Sequence, residues 1–270
     1  MGGLDGKVAV VTGASRGIGA AIARRLASEG VAVAVSARTV EAGQSRFEGT
    51  ITETAELITK AKGIAIPIAA DLSKQHDRQH LIEATEKELG PIDILVNNAA
   101  VTWFEPVDAF KESHYDLMFE VQVKAAFELA QRVLPGMRER KSGWILNISS
   151  GAARHPQASG GRRGAGGTVY GMCKAALERF TTGLAAEAYD DGIAVNVLSP
   201  SRVVPTPGVV HHRLIRPGME DMSEPVEVMA EASLALVSGD PKELTGRIAY
   251  SQQLLEELGR EAHPFEESSP

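Results

Sequence analysis

Thr12-Gly13-Ala14-Ser15-Arg16-Gly17-Ile18-Gly19 follows a β-branched apolar run at 7–11 and opens the stretch 17–29, where Ile18, Ile22 and Leu26 recur with helical spacing. Strand, glycine-rich turn and helix in that order are the start of an open α/β sheet. Glycine at 13, 17 and 19 permits a tight turn and lets backbone come close to an anion. The helix start adds unpaired N–H groups and the positive end of its dipole. The spacing is G-x3-G-x-G, not the G-x-G-x-x-G fingerprint. Alone it serves a purely structural turn as well as a nucleotide pyrophosphate.

Outward from this turn the same alternation continues. Strands are expected at 31–36, 64–69, 92–96, 144–148, 194–198 and 247–250, and helices at 52–62, 75–89, 112–134, 168–189 and 225–237. Short apolar strands, each followed by a helix, predict an α/β fold: one doubly wound (Rossmann) domain over 1–260, with a parallel sheet of about seven strands and helices on both faces. Three stretches break the rhythm: 38–50, the Gly/Arg-rich 158–167, and the proline-bearing 202–224, which reads as a substrate lid. The acidic tail 261–270 reads as frayed.

Composition narrows the function. With 270 residues, 43% of them hydrophobic, the chain suffices for one buried core. A formal net charge of -7 argues against nucleic-acid and anionic-membrane partners. No apolar run reaches the roughly 18 residues of a membrane span, and the first residues lack a secretory pattern, so a cytoplasmic protein is expected. The single cysteine, Cys173, excludes an internal disulfide; beside Lys174 it reads as a redox group or, more simply, as a packed side chain. No Cys/His/carboxylate cluster has metal-ligand spacing.

Tyr170 and Lys174 stand at i and i+4 on one helix face. A tyrosine titrates near ~10, but a close ammonium and a positively charged nicotinamide both favour its phenolate. Ser150 falls at the C-terminal end of the fifth strand, where open α/β sheets bind ligands, with a hydroxyl fit to hold a substrate oxygen. Ser149 is the rival for that role. After the second strand, Ser36-Ala37-Arg38-Thr39 lacks the acid that binds a ribose 2′-hydroxyl in NAD sites. Arg38, with Arg16 beside it, suits a 2′-phosphate instead, so NADP (NADPH) is the expected cofactor; two solvated arginines are the alternative.

These pieces, with Ala70-Asp71-Leu72, Asn97-Asn98-Ala99-Ala100, Ile148-Ser149-Ser150 and Asn196-Val197-Leu198-Ser199-Pro200, make the chain resemble the short-chain dehydrogenase/reductase family along nearly its whole length. The resemblance implies hydride transfer between the nicotinamide and a carbonyl or secondary alcohol. It implies Tyr170 as proton donor in reduction, Lys174 on the nicotinamide ribose and lowering the tyrosine pKa, and Ser150 orienting the carbonyl. Gly13, Ser15, Arg16, Gly17, Ile18, Gly19, Arg38, Asp71, Leu72, Asn98 and Ala99 are then cofactor-binding, as are Tyr170, Lys174, Pro200, Val203 and Thr206. Homo-oligomers, tetramer or dimer, through the fourth and fifth helices are also implied. Ala125, Ala126, Leu129 and Ala175, Ala176, Leu177 fit such an interface or packing within one subunit.

Departures from the family pattern are as informative. Gln122 stands where an asparagine of the proton relay is usual, and Ser201 replaces a glycine after Pro200. The ending Tyr250-Ser251-Gln252-Gln253 replaces an aspartate-glycine-glycine, and the interval from Ser150 to Tyr170 is lengthened by the Gly/Arg segment, where Arg162 and Arg163 offer charge for an anionic substrate tail. Trp103, Phe104, Val203, Val204, Val209, Val210, Leu214, Ile215 and Met219 point to a mainly apolar small-molecule substrate, with His211 and His212 as further contacts or a surface pair. A 3-oxoacyl thioester reductase and a cofactor-bound sensor or scaffold with little turnover are the other readings.

Overall fold

The structure is a computed structural model that describes residues 3–156, 166–211 and 222–265. Seven strands form one parallel sheet: β1 (Val8–Thr12), β2 (Ala32–Ala37), β3 (Ile64–Ala69), β4 (Ile94–Asn97), β5 (Gly143–Ile148), β6 (Ile193–Ser199) and β7 (Ile248–Tyr250). Their order is β3-β2-β1-β4-β5-β6-β7, every neighbouring pair parallel. The chain winds outward from β1 toward β3, then returns to β4 and winds the other way. The crevice between β1 and β4 is therefore the topological switch point, where such sheets bind ligands.

The central strands β1, β4 and β6 are buried along their full length, because helices cover both faces. The helices are α1 (Gly17–Ala27), α2 (Ile51–Lys60), α3 (Gln75–Leu89), α4 (Glu112–Phe119), α5 (Ala125–Arg140), α6 (Thr168–Ala188), α7 (Pro207–His211), α8 (Val226–Ser238) and α9 (Ser251–Leu258). One core packs Ile22, Leu26, Met229 and Leu236 on one face of the sheet; a second packs Leu81, Leu129, Val133 and Leu184 on the other. Pro67 sits in β3, an edge strand, where a missing N–H costs no ladder bond.

The elements lie where the sequence pattern puts them, with ends moved by a few residues, and two differences bear on the site. The expected helix 112–134 is α4 and α5 joined by a π-helical turn, Glu120–Lys124, and runs on to Arg140. A π turn admits one extra residue, and here it directs Gln122 into the interior. The second is α9, which the pattern did not mark: its buried anchors beyond Ser251 are only Leu254 and Leu255. The small residues Ala125, Ala126, Leu129 and Leu177 are buried within the subunit, so they are core. The exposed large apolar groups on α4, α5 and α6 are Tyr115, Phe127 and Met172. Among the described residues no helix is long and apolar enough to cross a membrane.

Candidate active site

The C-terminal ends of the strands open onto one cavity of about 1000 Å³. Every expected cofactor-binding residue lines it, and so do Ser150, Tyr170 and Lys174; Gln122 does not. The glycine turn forms one end. No side chain caps α1, so the N–H groups of its first turn are available to an anion. Gly13 and Gly17 both hold positive φ, 65° and 55°, and a Cβ on Gly17 would lie 2.9 Å from Thr206 Cγ2. The turn thus meets the segment after β6 directly. A Cβ on Gly19 would strike Asn98 Nδ2, which donates to the carbonyls of Thr12 (2.9 Å) and Gly13 (3.2 Å). Asn98 therefore lines the cavity, while its amide staples the glycine turn to β4.

At the β2 and β3 ends, Arg38 and Asp71 face each other across the cavity wall. Burial pushes the Asp71 carboxyl up, but hydrogen bonds from Ser73 and the nearby Arg38 and Lys74 charges more than offset it and hold it low. Arg16 behaves differently from the expectation. Its Nη2 donates to the Gly49 carbonyl (2.7 Å) and its Nη1 to Ser45 Oγ (3.1 Å), so the guanidinium fastens the connection between β2 and α2. That connection was marked only as long; it adds Ser45, Arg46 and Phe47 to the cavity wall, none of which a motif singles out.

The other end holds the serine, tyrosine and lysine. Tyr170 is half-buried on α6. Burial raises the pKa of its hydroxyl, and a hydrogen bond with Ser150 pulls the other way. Lys174 is buried; its Nζ donates to the Ile148 carbonyl (2.9 Å) and stands 5.6 Å from the centre of the Tyr170 ring. Burial lowers the Lys174 ammonium to about 8, with Cys173 opposing that fall. The expected lowering of the tyrosine by the lysine is not what this geometry gives. The ammonium lies against the ring and is directed at β5, and desolvation governs Tyr170. Burial likewise raises Cys173 to about 11, so it is a packed thiol. Ser149 Oγ donates to Glu178 Oε1 (2.9 Å), whereas Ser150 stands beside Tyr170, which separates the two rivals.

Behind the wall, Gln122 is buried and its Nε2 donates to the Val101 carbonyl (2.9 Å). Its Oε1 has no hydrogen-bond partner among the described residues. Phe104, Leu117 and Val121 line the cavity near Tyr170, with Phe104 edge-on to the tyrosine ring at 5.7 Å. Trp103 does not line it; its indole stacks on His114 at 4.0 Å. Val203, Val204 and Val209 line the cavity, Val210 is exposed, and His211 meets Phe47. His212, Leu214, Ile215, Met219, Arg162 and Arg163 lie outside the described residues.

Ser201 and the unusual C-terminal residues turn out to be partners. Ser201 N–H donates to Ser251 Oγ (2.9 Å) and to Glu224 Oε1 (3.2 Å); Ser201 Oγ donates to Gln253 Oε1 (2.5 Å) and accepts from Gln252 N–H (2.9 Å). Burial raises the Glu224 carboxyl, and the Ser251 hydroxyl donates to it at 2.6 Å. A second device that no motif announces is Arg78, a fully buried guanidinium that donates to the Leu72 carbonyl, Glu120 and Glu128. It ties the loop after β3 to the π turn.

A glycine turn at the switch point, with a serine, tyrosine and lysine at the far end of the same cavity, agrees with what the chain matches. Residues 7–213 match the short chain dehydrogenase family. This chain belongs to that family. It is accordingly an oxidoreductase acting on the CH–OH/C=O pair. It is 36% identical over 250 residues to an uncharacterized oxidoreductase of Methylorubrum extorquens, covering 93% of this chain and 92% of that one. It is 31% identical over 261 residues to hydroxysteroid dehydrogenase-like protein 2 of Homo sapiens, covering 96% of this chain but only 60% of that longer protein. Its fold overlies the crystal structure of a short chain dehydrogenase from Burkholderia cenocepacia in complex with NADP, with a TM-score of 0.75, 29% identity, and 92% and 96% of the two chains covered.

Proposed function

We propose that this short-chain dehydrogenase uses NADP(H) and interconverts a carbonyl and a secondary alcohol on a mainly apolar small molecule. The observation that carries the reading is one continuous cavity with the glycine turn and Arg38 at one end and Ser150, Tyr170 and Lys174 at the other. Residues fit to hold the dinucleotide are the uncapped first turn of α1 for its pyrophosphate, Asp71 and Leu72 for the adenine, and Arg38 for a 2′-phosphate. When bound, the nicotinamide supplies or accepts the hydride.

The chain's own residues do the rest. The Ser150 hydroxyl holds the substrate oxygen, and Tyr170 passes it the proton during reduction. Burial lowers the Lys174 ammonium to about 8, and it sits against the tyrosine ring. Phe104, Leu117, Val121 and Val204 give the substrate end an apolar wall. Gln122 and Ser201, two departures from the family pattern, both have hydrogen-bond partners here and leave the serine, tyrosine and lysine in place, which weighs against the sensor reading. The thioester-reductase reading leans on Arg162 and Arg163, outside the described residues. The aromatic pairs Tyr115–Phe119 (4.6 Å) and Phe127–Phe180 (5.9 Å), with Tyr115 and Phe127 exposed, support a homo-oligomer, dimer or tetramer, through α4, α5 and α6.

The test is oxidation of NADPH and of NADH in the presence of apolar ketones, aldehydes and 3-oxoacyl thioesters. Turnover of an apolar carbonyl with NADPH preferred is the expected result. Tighter binding of NADH removes the NADP assignment, and turnover confined to thioesters transfers the reading to the rival substrate class.

A further inference from the structure

The connection from β2 to α2 lines the cavity and touches α7, whose residues Gly208 and Val209 also line it. Its start follows Arg38, and its end is fixed by Thr50, whose hydroxyl accepts from Glu53 N–H at 3.0 Å in a capping box. Between these, Arg16 ties the loop down through Ser45 and Gly49. Gly49 holds φ +95°, and a Cβ there would lie 2.5 Å from the Ser15 carbonyl, so the loop backbone presses on the glycine turn itself. Phe47 sits at the crest. Its N–H donates to Ser45 Oγ (3.1 Å), and the guanidiniums of Arg16 and Arg46 stand 5.7 and 4.9 Å from the ring centre.

From there the ring reaches His211, edge to face, at 5.3 Å between centroids and 80° between planes. His211 ends α7, which begins directly after Thr206, and Thr206 lies on Gly17. Phe47 on one side and Gly208 and Val209 on the other line the same cavity. The two walls therefore meet at this contact.

We propose that Phe47 and His211 form a bridge over the cofactor cleft and that Phe47 is a positioning residue that retains the bound dinucleotide. The inference rests on the NADP(H) reading. A dinucleotide lying from the glycine turn to Tyr170 passes beneath this contact, and it leaves only after the contact parts. The contact is side chain against side chain between the β2–α2 connection and the short helix α7, with no sheet bond across it, so parting it leaves the sheet intact. An aromatic edge contact of this kind corresponds to about a three- to tenfold change in a rate or equilibrium constant. It also gives Arg16 a task in cofactor retention distinct from touching a phosphate, since its guanidinium anchors the loop that carries Phe47.

The experiment is stopped-flow release of NADPH, followed by its fluorescence while excess NADP⁺ displaces it. Wild type is compared with Phe47→Ala, His211→Ala, the double variant and Phe47→Tyr. Each alanine variant is expected to release NADPH about three- to tenfold faster. The double variant should exceed the faster single by no more than about twofold, because both remove one shared contact. Phe47→Tyr, which keeps the ring, should release at close to the wild-type rate. Release unchanged in both alanine variants overturns the bridge, and so do effects that multiply in the double variant. If Phe47→Ala does not fold, His211→Ala, altering an exposed side chain, decides the question with Phe47→Tyr. Wild-type protein that binds no NADPH removes the cofactor reading and the bridge together, whereas tight binding with unchanged release removes the bridge alone.

Discussion

In the floor of the cleft, Tyr170 and Lys174 are fixed by a 21-residue helix and by a backbone carbonyl of β5. In its roof, Phe47, Thr206 and Ser201 are fixed by contacts to the ends of other elements: His211 of α7, Gly17 of α1 and Gln253 of α9. The floor has no freedom to move without unpacking the sheet, and its groups carry burial-shifted proton affinities. The roof is built from contacts that break one at a time. On the proposed roles, proton chemistry falls to the more rigid part, and choice and exchange of the bound molecules to the part held by separate contacts.

Substitutions in each region sharpen or break that division. The largest effect is expected from Tyr170→Phe, which removes the proposed proton donor and keeps the ring edge against Phe104. Turnover at saturating NADPH should fall about 10³-fold, in the range of a lost general acid, with NADPH affinity little changed. Activity within about tenfold of wild type would move the proton transfer elsewhere.

Lys174→Met comes next, with turnover down about 10²-fold, and it should at the same time stabilise the protein. The Lys174 ammonium is held at about 8, below its ordinary 10.5, so the unfolded chain keeps a proton that the native one gives up between those pH values. Wild-type stability therefore rises with pH across that window, and the penalty of burying the ammonium is fully present below pH 8. The methionine variant should gain on the order of 2 kcal/mol at neutral pH, and the gain should shrink toward pH 10.5. Thermal melts at a series of pH values check this; a variant less stable than wild type at pH 7 contradicts it.

In the roof, Arg38→Ala should raise the KM for NADPH about 10- to 100-fold by removing a charge-assisted phosphate contact, while the KM for NADH stays put. Equal losses for both cofactors would make Arg38 a partner of Asp71 only. Gln122→Asn, the smallest, should keep or raise turnover, because the shorter amide retains both its donor and its acceptor at the same turn. A loss beyond about tenfold would show that the longer side chain is required.

The floor was legible in the sequence because helical periodicity puts Tyr170 and Lys174 on one face and strand polarity puts Ser150 at a β5 end. Both follow from local geometry. The roof was not, because its decisive pairings join residues far apart in the chain that no period links. Phe47 with His211, and Arg16 with Gly49, depend on how two irregular loops fold back. The π turn was hidden for a related reason: the apolar positions of 112–134 are those of an ordinary helix, and only the inward setting of Gln122 reveals the extra residue. Arg78 was hidden because a buried arginine is legible only through its carboxylate partners, Glu120 and Glu128 on the adjacent helix.

The bonds between Ser201 and residues Ser251, Gln252 and Gln253 couple the loop after β6 to the start of α9. Glycine at 201 would leave Gln253 Oε1 and the Gln252 N–H without their partner, and glycine at 253 would take away the acceptor of the serine hydroxyl, whereas glycine at 252 would keep the backbone N–H bond. Residues 201 and 253 are therefore coupled: changing either one alone costs the other its hydrogen bond, and changing both costs less than the sum of the two single changes.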